Sequence, residues 1–212
     1  MPTFAQIRTK VSRKLIDPSN TAVSVADVGD AINDALNYWK QRPLWFNQKT
    51  ATTTLVIGDP VIPGMPSDFL FEDSENGFVI PYQNITYTLE KKPPKIYDAV
   101  SIAGALGLPS IYTWRNGVYS VYYNPNLAYT LNIYYTADYT ALSADSDNND
   151  FTNYADQLLM YETLSRLSGE DRQDLQMDNS YAAKADREYN NLTMRSFRQK
   201  ATGYLTINTI LH

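Results

Sequence analysis

The chain has 212 residues, of which 43% are hydrophobic and 19% are charged, and its net charge is −5. These proportions are typical of a globular protein with one large domain or two smaller ones, and they exclude a disordered chain. No apolar run reaches the roughly 18–20 residues of a membrane span, and the first ten residues lack the apolar core of a signal peptide. We therefore expect a protein that is assembled inside a cell and has no membrane partner.

The side chains on which most enzymes depend are scarce. The chain contains no Cys, which removes disulfides, thiol catalysis and thiolate metal sites. Its single His is the last residue, His212, so mechanisms that centre on an imidazole lose their base or ligand. We therefore predict no catalytic residue, no metal site and no cofactor, and we do not expect an enzyme.

Two amphipathic helices are predicted at the start of the chain. Apolar residues recur every three or four positions from Phe4 to Leu15, which predicts the first helix. The second is predicted from Ser24 to about Arg42, with Ser24 and Asp27 as a capping box that has Asp in place of Glu. Neither helix can bury its apolar face alone, so both need packing partners elsewhere in the chain.

Residues 46–142 are predicted to form an inserted antiparallel β-domain, a small sandwich or barrel. The strongest local signal is Asn116-Gly117 between two strand-like runs, because both residues of a two-residue hairpin turn need positive φ. Many tyrosines lie in this region, and we interpret them as packing residues of a half-buried sheet. The alternative is a set of anchors for another protein surface. These tyrosines are Tyr112, Tyr119, Tyr122, Tyr123, Tyr129, Tyr134 and Tyr135.

Helical periodicity returns after the polar linker Ser143–Asn149. One helix is predicted from about Thr152 to Gly169 and a longer one from about Glu170 to Lys200. The fold class is thus α+β: the helices of residues 1–45 and 150–200 form one discontinuous domain around the β-insertion, and residues 201–212 form an apolar tail. The predicted buried stripe of the longer helix is Leu175, Ala182, Ala185, Tyr189 and Leu192.

Charge is distributed unevenly along the last third of the chain. Residues 143–186 carry ten acidic and three basic side chains, whereas residues 187–212 carry four basic and one acidic. Three of the four basic residues are arginines, and they share one helix face. This face is either a solvated helix end whose cations complement the helix dipole, or it forms with the apolar tail a surface that docks onto an acidic groove of another protein. The candidate docking residues are Arg187, Arg195, Arg198, Lys200, Tyr204, Leu205, Ile207, Ile210 and Leu211.

The acidic linker offers a weak match to a calcium-binding loop. Asp150 stands where such a loop has Gly, position 12 is Asp instead of Glu, and no helix is predicted before the loop. The simpler interpretation is a solvated linker in which Asp150 or Thr152 caps the next helix. The residues at loop positions 1, 3, 5 and 12 are Asp145, Asp147, Asn149 and Asp156.

Several segments occur in a characteristic order. They are Ala31–Phe46, a Thr-rich strand, Asp68–Leu70, Gly107–Tyr112, Tyr129–Tyr135 and Ala141–Asp147. This order resembles the head-to-tail adaptor (connector) proteins of short-tailed bacteriophages. The resemblance implies a dodecameric ring under the portal protein, with the helices and the C-terminal tail on the portal and outward parts holding the tail nozzle protein and often tail fibres.

The resemblance also implies a place in the virion, at the head-tail junction, after assembly in the host cytoplasm. Double-stranded DNA would pass through the ring during ejection without specific binding, and a negative net charge suits such a conduit. Two alternatives stay open. One is a carbohydrate-binding or receptor-binding virion module with Trp114 on its binding face, and the other is a carboxylate-based hydrolase of tail components.

Overall fold

The computed structural model describes residues 1–15, 22–101, 104–169 and 174–201, with the side chains of residues 200 and 201 left out. The chain forms two compact units, one of Met1–Asn47 with Tyr139–His212 and one of Gln48–Asp138. The first unit is helical and the second contains the sheets. The predicted α+β class with an inserted β-domain is therefore confirmed.

The described residues form six helices and ten strands. The helices are α1 (Phe4–Lys14), α2 (Val25–Trp39), α3 (Pro94–Val100), α4 (Asp150–Tyr154), α5 (Asp156–Gly169) and α6 (Leu175–Ala201). The strands are β1 (Gln48–Thr54), β2 (Phe69–Glu72), β3 (Phe78–Tyr82), β4 (Ile85–Thr88), β5 (Glu90–Lys91), β6 (Leu106–Gly107), β7 (Ile111–Arg115), β8 (Val118–Tyr122), β9 (Asn124–Pro125) and β10 (Thr130–Ala137).

Side-chain caps fix the starts of α2 and α4. The predicted capping box of α2 is confirmed, since Ser24 Oγ accepts the Asp27 N–H at 3.1 Å and Asp27 Oδ2 accepts the Ser24 N–H at 3.2 Å. The N-cap residue of α4 is Asn149, whose Oδ1 accepts the Thr152 N–H at 3.0 Å, while Thr152 Oγ1 accepts the Asn149 N–H at 3.0 Å. Thr152 therefore takes part in the cap, as one of the two predicted residues, but the N-cap position itself is Asn149. The helix predicted from Thr152 is in fact two helices with a break at Ala155.

The helical unit has one apolar core, to which all its long helices contribute. The predicted stripes of α1 and α2 are buried, and α5 packs between them and α6. Burial of each large aliphatic or aromatic side chain contributes about 1.5–3 kcal/mol, so this core is the main source of stability in the unit. Its largest members include Ile7, Ile32, Leu36, Trp39, Phe151, Leu158, Leu159 and Leu164.

The predicted stripe of α6 is correct in its middle and wrong at its start. Ala185 and Leu192 are buried, but Leu175 is 70% exposed. At 100° per residue, Leu175 lies about 80° around the helix from Ala185, which turns it away from the core. Tyr181 and Ser196 lie within about 40° of Ala185 and complete the buried face instead.

The β-unit is built on a sheet with the strand order β1-β10-β3-β4, in which β2 also pairs with β10. All these pairs are antiparallel. Along β10, Leu131, Ile133 and Tyr135 are buried while Thr130 is exposed, as the alternation of the sequence predicts. The alternation does not extend to β3, where Phe78, Val79 and Ile80 are buried in succession, so the sheet is covered on both faces there.

The β7–β8 hairpin confirms the Asn-Gly prediction. Arg115 pairs with Val118, and the two turn residues have φ of +50° at Asn116 and +80° at Gly117. Two further pairings, β5 with β7 and β6 with β9, are parallel. They were not predicted, because a strand of two residues is too short to leave a periodic pattern.

Candidate docking site

The C-terminal half of α6 is anchored by the chain segment that follows α2. The Trp45 N–H donates to Ser196 Oγ at 3.0 Å, and Ser196 Oγ donates to the Leu192 carbonyl at 3.0 Å. The rings of Trp39 and Tyr189 lie 4.9 Å apart between their centroids. Because these contacts orient the helix about its axis, they also decide which side chains of α6 face solvent.

Arg187 and Arg198 lie on the opposite side of α6, about 140–160° around the helix from Ala185, and Arg195 lies at its flank, about 80° from Ala185. Arg187, Arg195 and Arg198 are all exposed, as the helix periodicity predicted. Two apolar side chains that the prediction missed accompany them: Met194 is 54% exposed and Phe197 is 67% exposed. We call these five residues the α6 ridge. The positions of Met194 and Phe197 were visible in the sequence. Most residues around them are polar, so the sequence did not single out these two apolar side chains.

The arginines of the α6 ridge form no ion pair with any residue that the structure describes. Other cations of the helical unit do: Arg8 pairs with Asp145, and Lys10 pairs with Asp156. Arg, Met and Phe are enriched at protein interfaces, where an exposed guanidinium can bind a partner's carboxylate. The ridge thus combines uncompensated charge with exposed apolar surface.

The rest of the predicted docking site is only partly visible. The backbone of Lys200 belongs to α6, and its side chain lies outside the described part of the chain. Tyr204, Leu205, Ile207, Ile210 and Leu211 lie outside the described residues altogether. The structure therefore brings together three of the nine predicted docking residues, and the docking role of all nine stays a prediction.

The three Asp residues of the calcium-loop match, two in the linker and one at the start of α5, all have partners within the chain. Asp145 and Asp156 pair with cations of α1, and Asp147 Oδ2 accepts the N–H groups of Ser143 and Ala144, each at 2.8 Å. Those two hydrogen bonds hold the pKa of Asp147 below its ordinary value. Within the described ranges, no group of three or more His, Cys, Asp and Glu side chains is placed to hold a metal ion.

Two carboxylates of the β-unit are each held by a Lys and a Tyr. Glu72 accepts from Lys91 and, at 2.7 Å, from Tyr119 Oη. Asp68 accepts from Lys49 Nζ at 2.9 Å and from Tyr135 Oη at 2.8 Å. Burial alone would raise both carboxyl pKa values, but these hydrogen bonds outweigh it and hold them below their ordinary values. Both groups are therefore carboxylates at neutral pH, whereas a general acid needs a raised pKa.

Most of the tyrosines serve packing, as we interpreted them. The five that are buried are Tyr112, Tyr119, Tyr122, Tyr129 and Tyr135. Burial and the neighbouring Asp68 raise the pKa of Tyr135 to about 12. Trp114 differs from them, since it is 50% exposed and borders a shallow cleft with Met65, Pro66 and Lys91.

The α6 ridge has the composition of a protein-protein interface, with Arg, Met and Phe side chains exposed together. The family model described as SU10 adaptor protein matches residues 2–207. The chain belongs to this family of phage head-to-tail adaptors, and it is a structural component of the virion. Among curated proteins, none matches the chain. No helix in the described residues is long and apolar enough to cross a membrane.

Proposed function

We propose that copies of this chain form a ring that joins the portal protein to the tail nozzle protein and the tail fibres. The observation that carries this proposal is the family match over residues 2–207, which spans both units. The resemblance in segment order implies in addition that the ring contains twelve copies and is assembled in the host cytoplasm. Double-stranded DNA passes through the ring, and the net charge of −5 favours passage without retention.

The portal is bound by the helical unit, through the α6 ridge and the C-terminal tail. Exposed arginines beside Met194 and Phe197 suit a partner surface that is acidic with apolar depressions. The segment that follows the ridge, residues 201–212, contains no Asp, Glu, Lys or Arg. Charge on the ridge would guide the encounter, and apolar contacts of the ridge and tail would then hold the complex.

The experiment is co-expression with the candidate portal protein, followed by purification and electron microscopy. We expect a ring of this chain on the portal. Charge reversal by Arg187→Glu with Arg198→Glu should weaken the complex at least tenfold. The single variant Arg198→Glu is compared with Lys95→Glu, which makes the same change of charge at an exposed cation of the β-unit and should bind portal like the wild type. A chain that stays monomeric beside assembled portal would refute the proposal. Unchanged portal affinity after deletion of residues 201–212 would remove the tail from it.

A second candidate function rests on Trp114. A half-exposed Trp beside a cleft suits stacking on a sugar ring, so the β-unit would be a carbohydrate-binding or receptor-binding module of the virion. Glycan-array binding that disappears with Trp114→Ala would support it. The hydrolase alternative has no such observation, since the described carboxyls with shifted pKa, Asp68, Glu72 and Asp147, all shift in the direction opposite to that of a general acid.

A further inference from the structure

The main sheet of the β-unit ends on both sides in an unpaired strand. β1 pairs only with β10, and β4 pairs only with β3, among the strands that the structure describes. β1 is seven residues long, contains no Pro and carries a single charged side chain, Lys49. Exposed edge strands are usually protected by Pro, charge or a bulge, because their free backbone groups pair readily with another strand. β1 has little of this protection.

Hydrogen bonds next to each edge strand reveal which of its backbone groups point outward. The Leu55 N–H donates to the Tyr129 carbonyl at 2.9 Å, so the backbone groups of Leu55 point toward β10. Every second residue of β1, counted back from Thr54, therefore directs its N–H and C=O groups away from β10. The Leu89 N–H donates to the Phe78 carbonyl at 2.9 Å, and the same rule applies to β4. The outward residues are Gln48, Thr50, Thr52 and Thr54 on β1, and Thr86 and Thr88 on β4. For the backbone groups of these five threonines the structure gives no hydrogen bond within its described ranges.

The two edges are complementary in direction. Each of the three steps from β1 to β10, β3 and β4 is antiparallel, so β1 and β4 run in opposite directions. If the sheet of one copy continues into the next with the same orientation, β4 of the first lies antiparallel to β1 of the second. Such a contact joins two different faces of the same chain, which is the kind of interface that closes a ring.

The two edges are also complementary in side chains. The residues Thr52, Asn132, Val79 and Thr88 form one row across the sheet, so the outward threonines of β1 and β4 lie on the same face. All five are exposed. Pairing the edges keeps this threonine face continuous from copy to copy and places Thr opposite Thr, a favourable cross-strand pair.

We propose that neighbouring copies of this chain bind each other by pairing β4 of one copy with β1 of the next, antiparallel. The proposal rests on the ring proposed above and identifies the contact between its subunits. We assign a second copy of the chain as the partner of each edge strand. The two edge strands run in opposite directions, both have backbone groups without a partner among the described residues, and both expose threonines on the same face of the sheet. Extension of a sheet by an added strand is a common mode of protein association.

The absence of Cys from the chain makes cross-linking a direct test. Directly opposed residues of an antiparallel pair have Cα atoms about 4.5–5.5 Å apart, within the range that a disulfide spans. Thr86→Cys is combined in turn with Thr50→Cys, Thr52→Cys or Thr54→Cys, which covers three possible registers, and each variant is assembled with portal and oxidised. We expect one combination to give a ladder of disulfide-linked multimers on a non-reducing gel.

The matched control is Thr53→Cys with Thr86→Cys. Thr53 neighbours Thr52 on the same strand, but its side chain lies on the other face of the sheet, so this variant should give no ladder. Cross-linking of the Thr53 variant as strong as that of the best of the three combinations would overturn the proposal, as would rings seen by microscopy without cross-linking by any of the three. Rings without cross-links leave the adaptor function intact, whereas a chain that remains monomeric with portal overturns both. Cross-linking to a tail or portal protein carrying a cysteine, in place of a second copy, also overturns the edge pairing.

Discussion

Asn33 on α2 and Leu142, which is 109 residues further along the chain, are joined by two hydrogen bonds through one side-chain amide. Asn33 Nδ2 donates to the Leu142 carbonyl at 3.0 Å, and Asn33 Oδ1 accepts the Leu142 N–H at 2.8 Å. Leu142 is buried and lies just after the point where the chain returns from the inserted unit. The amide therefore fixes the returning chain onto α2 and satisfies two backbone groups that no helix or strand satisfies.

Replacement of Asn33 should destabilise the helical unit. Asn33→Ala leaves the N–H and C=O of Leu142 without their partner, and an unsatisfied buried polar group costs about 1–3 kcal/mol. We expect the free energy of unfolding in urea to fall by about 2 kcal/mol. Asn37→Ala, at an exposed position of the same helix, should change it by less than about 0.5 kcal/mol. Equal stability of the two variants would show that the amide contributes nothing.

The hydroxyl of Tyr119 should stabilise the β-unit through Glu72. Its Oη donates to the carboxylate at 2.7 Å, and a hydrogen bond to a charged group contributes about 1.5–3 kcal/mol. Tyr119→Phe should lower the free energy of unfolding by an amount in that range. Tyr112→Phe is the control, because that hydroxyl has no hydrogen bond among the described residues while its ring packs against the same Phe78. A larger effect at Tyr112 than at Tyr119 would contradict the assignment.

The pH dependence of stability follows from the two carboxylates of the β-unit. Asp68 and Glu72 have folded-state pKa values below their unfolded values of about 3.9 and 4.3. The unfolded state then binds more protons, so their stabilisation is complete above the unfolded pKa values and is lost as pH falls through the folded ones. Glu72→Gln should be less stable at pH 7 and should lose less stability between about pH 5 and pH 3. Parallel pH profiles for wild type and variant, measured by thermal unfolding, would refute this.

The features that the sequence predicted correctly are encoded by neighbouring residues. The capping box at Ser24 and the turn at Asn116-Gly117 each depend on a few adjacent positions, and the exposure of Arg187 and Arg198 follows from helix periodicity. Each of these signals is contained in one short segment of the chain. The order of elements then predicted the fold class.

The features that it missed join residues far apart in the sequence. Nothing near Asn33 indicates Leu142 as its partner, and nothing near Glu72 distinguishes Lys91 from the adjacent Lys92, which pairs with Glu90. Both lysines have carboxylate partners, one of them 19 residues away and the other two residues away. Such pairings depend on how the chain folds back on itself, which periodicity does not encode.

Binding of the portal through the α6 ridge should depend on salt. The arginines of the ridge are exposed, and the attraction between exposed charges weakens as the Debye length falls from about 10 Å at 0.1 M salt to about 3 Å at 1 M. We expect the affinity of the chain for portal to fall over this range, and the fall to be smaller in the Arg187→Glu, Arg198→Glu variant than in the wild type. Surface plasmon resonance on immobilised portal measures both. Met194→Ala with Phe197→Ala separates the apolar contribution, since it should weaken binding while leaving the salt dependence unchanged. If the double arginine variant keeps the salt dependence of the wild type, the cations that contact portal lie elsewhere in the chain.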